Sequence, residues 1–266
     1  MEELFIEDCD GLVNIVDTSS NDFPNLNHLI IEGASELEEI VGCEKDTSKN
    51  YFAFSNLKEV KIMNCEKLEV IFPKSVVRYL PELKEVSIRK CKELRQVIEE
   101  GVEDKKLSSI VSAQPCFPKL EALHVDHCHK LKRLFCASAS NELPNLHFLA
   151  INGASELEEL VGCKQGKTKV ELPTLKLLIF MHLSNFHQEI ELQNLKNCVV
   201  HECPKLSFTS TTTLQKLCQH FPHEGKYYIK SSNSLICKQF YLKKIYLQIH
   251  YFTQRGRFQI FNRVLT

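Results

Sequence analysis

FPKLEALHVDHCHKLKRL, residues 117–134, carries the pattern that decides the fold. Leu123 and Val125 alternate with Ala122, His124 and Asp126, so the two aliphatic residues leave a short strand on one side and their neighbours on the other. Pro118 has a fixed φ and no N–H, which suits a turn entering a strand and would disrupt the middle of one. The same phrase returns along the chain as FSNLKEVKIMNCEKLEVI at 54–71, LPELKEVSIRKCKELRQV at 80–97, FPNLNHLIIEGASELEEI at 23–40 and LPNLHFLAINGASELEEL at 143–160. A headless copy, LFIEDCDGLVNI, occupies 4–15, and two weaker ones, LPTLKLLIFMHLSNF and LQNLKNCVVHECPKL, occupy 172–186 and 192–206.

Leu4, Leu29, Val60, Val86, Leu123, Leu149, Leu178 and Cys198 are the equivalent first aliphatic positions, separated by 25, 31, 26, 37, 26, 29 and 20 residues. Spacings of this size are those of leucine-rich repeats. Residues 23–43 and 143–163 share PNL, GASELEE and VGC at an offset of 120, the mark of several repeats duplicated together. One rung cannot shelter its own aliphatic residues, so it must stack on its neighbours. The expected fold is an α/β or mainly β leucine-rich-repeat solenoid of seven to eight rungs. Its parallel sheet lines the concave face, and irregular segments or short helices form the convex return.

Cys9, Cys65, Cys91, Cys128 and Cys203 all fall three residues after the last aliphatic residue of their strand, where Ala34 and Ala154 also stand. Exchange with Ala marks a small buried position, with the thiol as a weak donor to a turn carbonyl, and argues against disulfides or metal ligation. A composition of 43% hydrophobic and 25% charged residues is that of a folded chain. No apolar run approaches a membrane span, the acidic start MEELFIEDCD is unlike a secretory signal, and no N-x-[ST] acceptor occurs. These features favour a cytoplasmic location, with the nucleus as the alternative.

The polar stretches 42–54 and 99–116 read as loops inserted between rungs. The first strand begins almost at Met1 with no capping element before it, as expected of a piece of a longer protein. The repeat phrase ends near residue 208. Beyond it lie TSTTT, a short helical pattern TLQKLCQHF, and a tail in which residues 226–266 carry eight Lys/Arg and no acid. Ile245, Leu247, Ile249 and Tyr251 alternate like a strand, so 209–266 is expected to be a basic cap or extension, not a nucleic-acid site.

The phrase LxxLxIxxCxxLxxI with a preceding F/L-P-x-L, seen at 117–134, resembles the C-terminal repeats of plant nucleotide-binding leucine-rich-repeat disease-resistance proteins, particularly the coiled-coil subclass. The resemblance spans roughly residues 1–208. It implies a sensor that recognises a pathogen effector or a guarded host protein and holds a nucleotide-binding switch domain inactive. The chain has no G-x-x-x-x-G-K-[ST] loop, no MHD-like element and no coiled coil. It is therefore expected to be a receptor fragment, a truncated product, or a module completed by a partner. The rival resemblance, to the substrate-binding arrays of F-box ubiquitin-ligase adaptors, is weakened because ELEEI, KLEVI or KLKRL follows the turn where those arrays have a T-D-x-G-L-like helix.

Residues expected to face a partner from the outward strand positions are Lys58, Lys61, Lys84, Ser87, Arg89 and Lys90, followed by His124, Asp126, His147 and Asn152. The lysines suggest a basic stripe on rungs three and four that meets an acidic patch. HVDHCHKLKRLFC is dense in His and Cys, but His124 and Cys128 belong to opposite faces of the rung and the spacing fits no tetrahedral site. No metal, cofactor or catalytic group is expected, for the chain holds no G-x-S-x-G and no H-E-x-x-H.

Overall fold

Leu4, Leu29, Val60, Val86, Leu123, Leu149, Leu178 and Cys198, equated above by repeat position alone, are direct register partners across seven consecutive parallel strand pairings. The structure, a computed structural model, describes residues 2–16, 23–41, 54–72, 80–98, 117–135, 143–162 and 169–208, and the backbone of 227–231 and 234–238. The inner sheet consists of β1 (Glu3–Glu7), β3 (His28–Glu32), β5 (Glu59–Met63), β7 (Glu85–Arg89), β9 (Ala122–Asp126), β11 (Phe148–Asn152), β14 (Leu177–Met181) and β16 (Asn197–His201). Its spatial order is the chain order, β1-β3-β5-β7-β9-β11-β14-β16. Each rung thus lies beside the next, as a one-dimensional array requires.

The return face is also sheet. β2 (Asn14–Val16) pairs with β4 (Glu39–Val41); β6 (Val70–Phe72), β8 (Gln96–Ile98), β10 (Arg133–Phe135) and β12 (Glu159–Val161) form a second ladder; β13 (Lys169–Leu172), β15 (Glu189–Leu192) and β17 (Ser207–Phe208) form a third. Among the described residues no helix occurs. The final apolar pair of a phrase, such as Val70 and Ile71 in LEVI, makes the three-residue strands; β13 and β15 have four residues and β17 two. β18 (Tyr227–Ser231) and β19 (Ser234–Lys238) form an antiparallel hairpin in the tail. The expected loops at 42–53 and 99–116, the helix at 213–221 and the strand at 245–251 lie outside the described residues.

Between the inner sheet and the return strands runs a continuous core. Leu57, Leu83, Leu120 and Leu146 from the Pro-x-Leu position, Leu68, Leu94, Leu131 and Leu157 from the turn, and the inward strand aliphatics of β3 to β11 are at most 1% exposed. Phe117 stands edge-on to Phe72 at 5.9 Å and to Phe135 at 6.4 Å, filling the wider interior of the middle rungs. The cysteine column behaves as the Ala exchange requires: Cys65, Cys91 and Cys128 are buried, and their thiols donate to the carbonyls of Met63, Arg89 and Asp126 at 3.4, 3.6 and 3.6 Å. Packing against the Cys91 thiol, together with burial, pushes the Cys65 thiol far above its ordinary range, and burial raises Cys203 to about 12. No disulfide joins the cysteines of this column, Cys9, Cys65, Cys91, Cys128 and Cys203.

The residue before each Cys or Ala is left-handed. Asp8, Asn64, Lys90, His127, His182 and Glu202 have φ between 46° and 56°, and Gly33 and Gly153 occupy the same place at 70° and 65°. This turn aims the backbone N–H at the next rung: Asp8 to Glu32 O at 2.8 Å, Asn64 to Arg89 O at 3.0 Å, Lys90 to Asp126 O at 2.8 Å and His127 to Asn152 O at 2.8 Å. The conformation costs a non-glycine residue roughly 1 kcal/mol, offset by a satisfied backbone donor in each described rung from the first to the seventh.

Candidate site on the concave face

Period-two alternation along the inner strands leaves three rows of side chains on the concave face. The central row is Phe5, Ile30, Lys61, Ser87, His124, Ala150, Ile179 and Val199. One flanking row runs Glu3, His28, Glu59, Glu85, Ala122, Phe148, Leu177, Asn197; the other runs Glu7, Glu32, Met63, Arg89, Asp126, Asn152, Met181, His201. Six of the ten sequence-predicted contact residues lie in these rows: Lys61, Ser87, Arg89, His124, Asp126 and Asn152.

The other four do not. Lys58, Lys84 and His147 each stand one residue before their strand, where the carbonyl accepts two N–H groups from the following rung, as Lys58 O does from Lys84 at 2.8 Å and Glu85 at 3.0 Å. Their parity is that of the inward residues, and because the chain is still turning there, their side chains emerge at the rim. Lys90 occupies the left-handed turn beyond β7. The expected basic stripe is corrected accordingly. On rungs one to four the concave rows carry Glu3, Glu7, Glu32, Glu59 and Glu85 against Lys61 and Arg89, so this half is acidic, and the Lys61 ammonium lies 2.5 Å from the Glu59 carboxylate.

The middle of the face is a cross-rung polar cluster. Asp126 accepts a hydrogen bond from Asn152 Nδ2 at 2.8 Å, pairs with His127 Nδ1 at 2.8 Å and lies 3.3 Å from Arg89 Nε, which sits off the line of an N–H donation. His124 is 5% exposed, with Nδ1 3.4 Å from the Ser87 hydroxyl. Burial lowers its imidazole to about 4, partly opposed by Asp126, while Arg89 adds to the lowering. His124 is therefore neutral at physiological pH. Glu85 moves the other way: burial, reinforced by Glu59 and Glu121 and opposed by Lys61, raises its carboxyl to about 7, and its Oε1 is buried without a hydrogen-bond donor.

Beyond rung five the face turns apolar. Ala122, Phe148, Ala150, Ile179, Met181 and Val199 form a second cluster, separate from the core, each between 3% and 7% exposed. At the opposite end Phe5 is 55% exposed and begins the central row beside the partly buried Ile30. Parity counting would have found all of these residues; the charges of the neighbouring lysines outweighed it.

Charged side chains also bind rung to rung at the turn edge, where Glu36 meets Lys67, Glu66 meets Lys92, and Glu93 meets Lys130 at 2.7 Å. At the opposite end of the inner strands Asn56, Asn145 and Asn194 each donate to the carbonyl of the preceding rung's proline, Pro24, Pro118 and Pro173, at 2.6 Å. In the His/Cys-rich segment, His124 faces the concave side from within β9, and Cys128, set beyond the left-handed turn at His127, faces the core. Donors do converge elsewhere: His182, His201 and Glu202 bring their ligand atoms within 4.8 Å of one another.

Parallel rungs in register, one Leu-x-Ile strand per repeat and a conserved-geometry turn define the architecture, and residues 1–92 match the family described as plant disease resistance protein RPS2-like, leucine-rich repeats. The chain is a leucine-rich-repeat solenoid whose residues 1–92 are similar to plant resistance-protein repeats. Among solved structures it is similar to the leucine-rich repeat domain of the type III effector XopL, at 17% identity and a TM-score of 0.40 over 80% of this chain and 72% of that one. No curated protein matches the chain. Leucine-rich-repeat arrays of this kind are protein-interaction modules, and among the described residues no helix is long and apolar enough to cross a membrane.

Proposed function

We propose that this leucine-rich-repeat array is a non-catalytic recognition module of plant defence, acting in the cytoplasm or nucleus as the sensor and autoinhibitory end of a nucleotide-binding resistance receptor. The observation that supports this most directly is the acid-rich concave half, Glu3 to Glu85, with Phe5, Ile30 and Met63 set among the carboxylates, in the stretch that matches resistance-protein repeats. Such a surface suits a partner with Lys or Arg around an apolar anchor: a pathogen effector, a guarded host protein or the nucleotide-binding domain of a parent or paired receptor. Charge complementarity of this kind sets orientation and encounter rate more than raw affinity.

The test is capture of a resistance-type nucleotide-binding domain supplied in trans by the full chain, with Glu32→Lys/Glu59→Lys beside a return-face control, Lys132→Glu. Capture is expected to fall at least about tenfold in the concave variant and to survive in the control. Retention by the concave variant would defeat the reading. Recovery of a Skp1-like adaptor in its place would favour the ubiquitin-ligase alternative.

A further inference from the structure

His182 and Glu202 are the left-handed turn residues of the last two described rungs, and His201 ends β16 between them. The turn that forces positive φ on both also fixes where their side chains leave the backbone, and the His182 N–H to His201 O hydrogen bond of 2.9 Å locks the two turns side by side. Three donors from two adjacent rungs are thereby gathered at one edge. His182 Nδ1 lies 2.7 Å from Glu202 Oε2, His201 Nε2 lies 3.5 Å from Glu202 Oε1, and the two imidazoles stand edge to face with centroids 5.3 Å apart. Neither histidine belongs to the core, and neither is needed by the repeat phrase, which elsewhere places Asp, Gly, Asn, Lys or His at the turn.

We infer that His182, His201 and Glu202 form a binding site for one divalent transition-metal ion, with zinc as the best fit. Two imidazole nitrogens and a carboxylate oxygen are a ligand set that zinc, copper and nickel accept and that calcium and magnesium do not favour. Tetrahedral zinc with bonds of about 2.0–2.2 Å needs donors roughly 3.3 Å apart. The three donor atoms already lie within 4.8 Å of one another, so rotation of side chains suffices and the hydrogen-bonded turns stay in place. The side chains of His182, His201 and Glu202 are 47%, 29% and 64% exposed, so an ion has access and a fourth position stays open to water. Other His/acid contacts, His28 with Glu59 and His127 with Asp126, are two-member pairs. A bound ion would clamp rung seven to rung eight, independently of the recognition role proposed for the other end.

The test is zinc titration of the full chain, followed by the ring-nitrogen resonances of its histidines. One equivalent is expected to shift His182 and His201 together. His182→Asn/His201→Asn should lose one equivalent of zinc uptake, and Glu202→Gln should weaken that equivalent at least about tenfold. His127→Asn/His129→Asn should bind as the parent does. Zinc taken up with no change at the His182 and His201 rings, or no uptake by the parent at about 100 µM, would overturn the site. The resonance measurement uses the parent chain, so misfolding of a variant cannot mask the answer.

Discussion

Gln188 is 1% exposed, and its side-chain amide does the work of a strand. Its Oε1 accepts from the N–H groups of Leu160 and Val161 at 2.8 and 3.2 Å, and its Nε2 donates to Val161 O at 2.8 Å. β12 is the last strand of the second ladder, and this amide completes its edge. Gln188→Leu keeps the volume and removes three hydrogen bonds to buried backbone groups, which should cost about 2–4 kcal/mol, read as a lower denaturant midpoint at unchanged slope. Glu85 gives the opposite sign. Its folded-state carboxyl titrates at about 7, above the ordinary 4.5. The folded state therefore holds the proton more tightly, and the stability that this contributes is complete below pH 4.5 and lost as pH rises through 7. Glu85→Gln should match the parent at pH 4 and exceed it at pH 8 by on the order of 1 kcal/mol; equal melting shifts at both values would contradict the assignment. Neither role is legible in the sequence, because each depends on a neighbour from another rung: the missing strand partner in one case, Glu59 and Glu121 in the other.

At the level of the elements, the short strands were legible and their turns only partly so. Leu-x-Ile alternation with a preceding Pro gives both the strand and its register. The left-handed column announces itself at Gly33, Gly153 and Asn64, residues that tolerate positive φ. At Lys90, His127 and His182 the side chain gives no hint, because the conformation is imposed by the ladder hydrogen bond. Lys90 is the instructive case, since its charge made it a contact candidate while its backbone makes it a turn. Lys90→Gly should stabilise the solenoid by about 0.5–1 kcal/mol and leave partner capture unchanged. A loss of capture with stability raised would return Lys90 to the contact surface. The return strands were missed as strands because three residues are too few to show a period.

For the molecule as a whole, stability is a sum over rungs and their contacts. Leu123, with neighbours on both sides, is fully buried, whereas Leu4 of the first described rung packs against one neighbour and is half-buried. Leu123→Ala should cost about 2–5 kcal/mol and Leu4→Ala only about 1 kcal/mol, measured by chemical denaturation. Similar costs at the two sites would argue against a linear array. The concave rows were readable by counting residues from the strand centre; what the face presents to a partner was misjudged where individual lysines were weighed without their position in the rung.

The inner sheet runs unbroken through eight strands, while the return face is divided into three plates, β2-β4, β6 to β12, and β13-β15-β17. A strip hinged in this way is stiff along its front and jointed along its back. Bending it more or less tightly opens or shuts the seams behind rungs two and six without breaking a front ladder, so the arc can close around a visitor of somewhat different diameter while the spacing of its gripping rows stays constant.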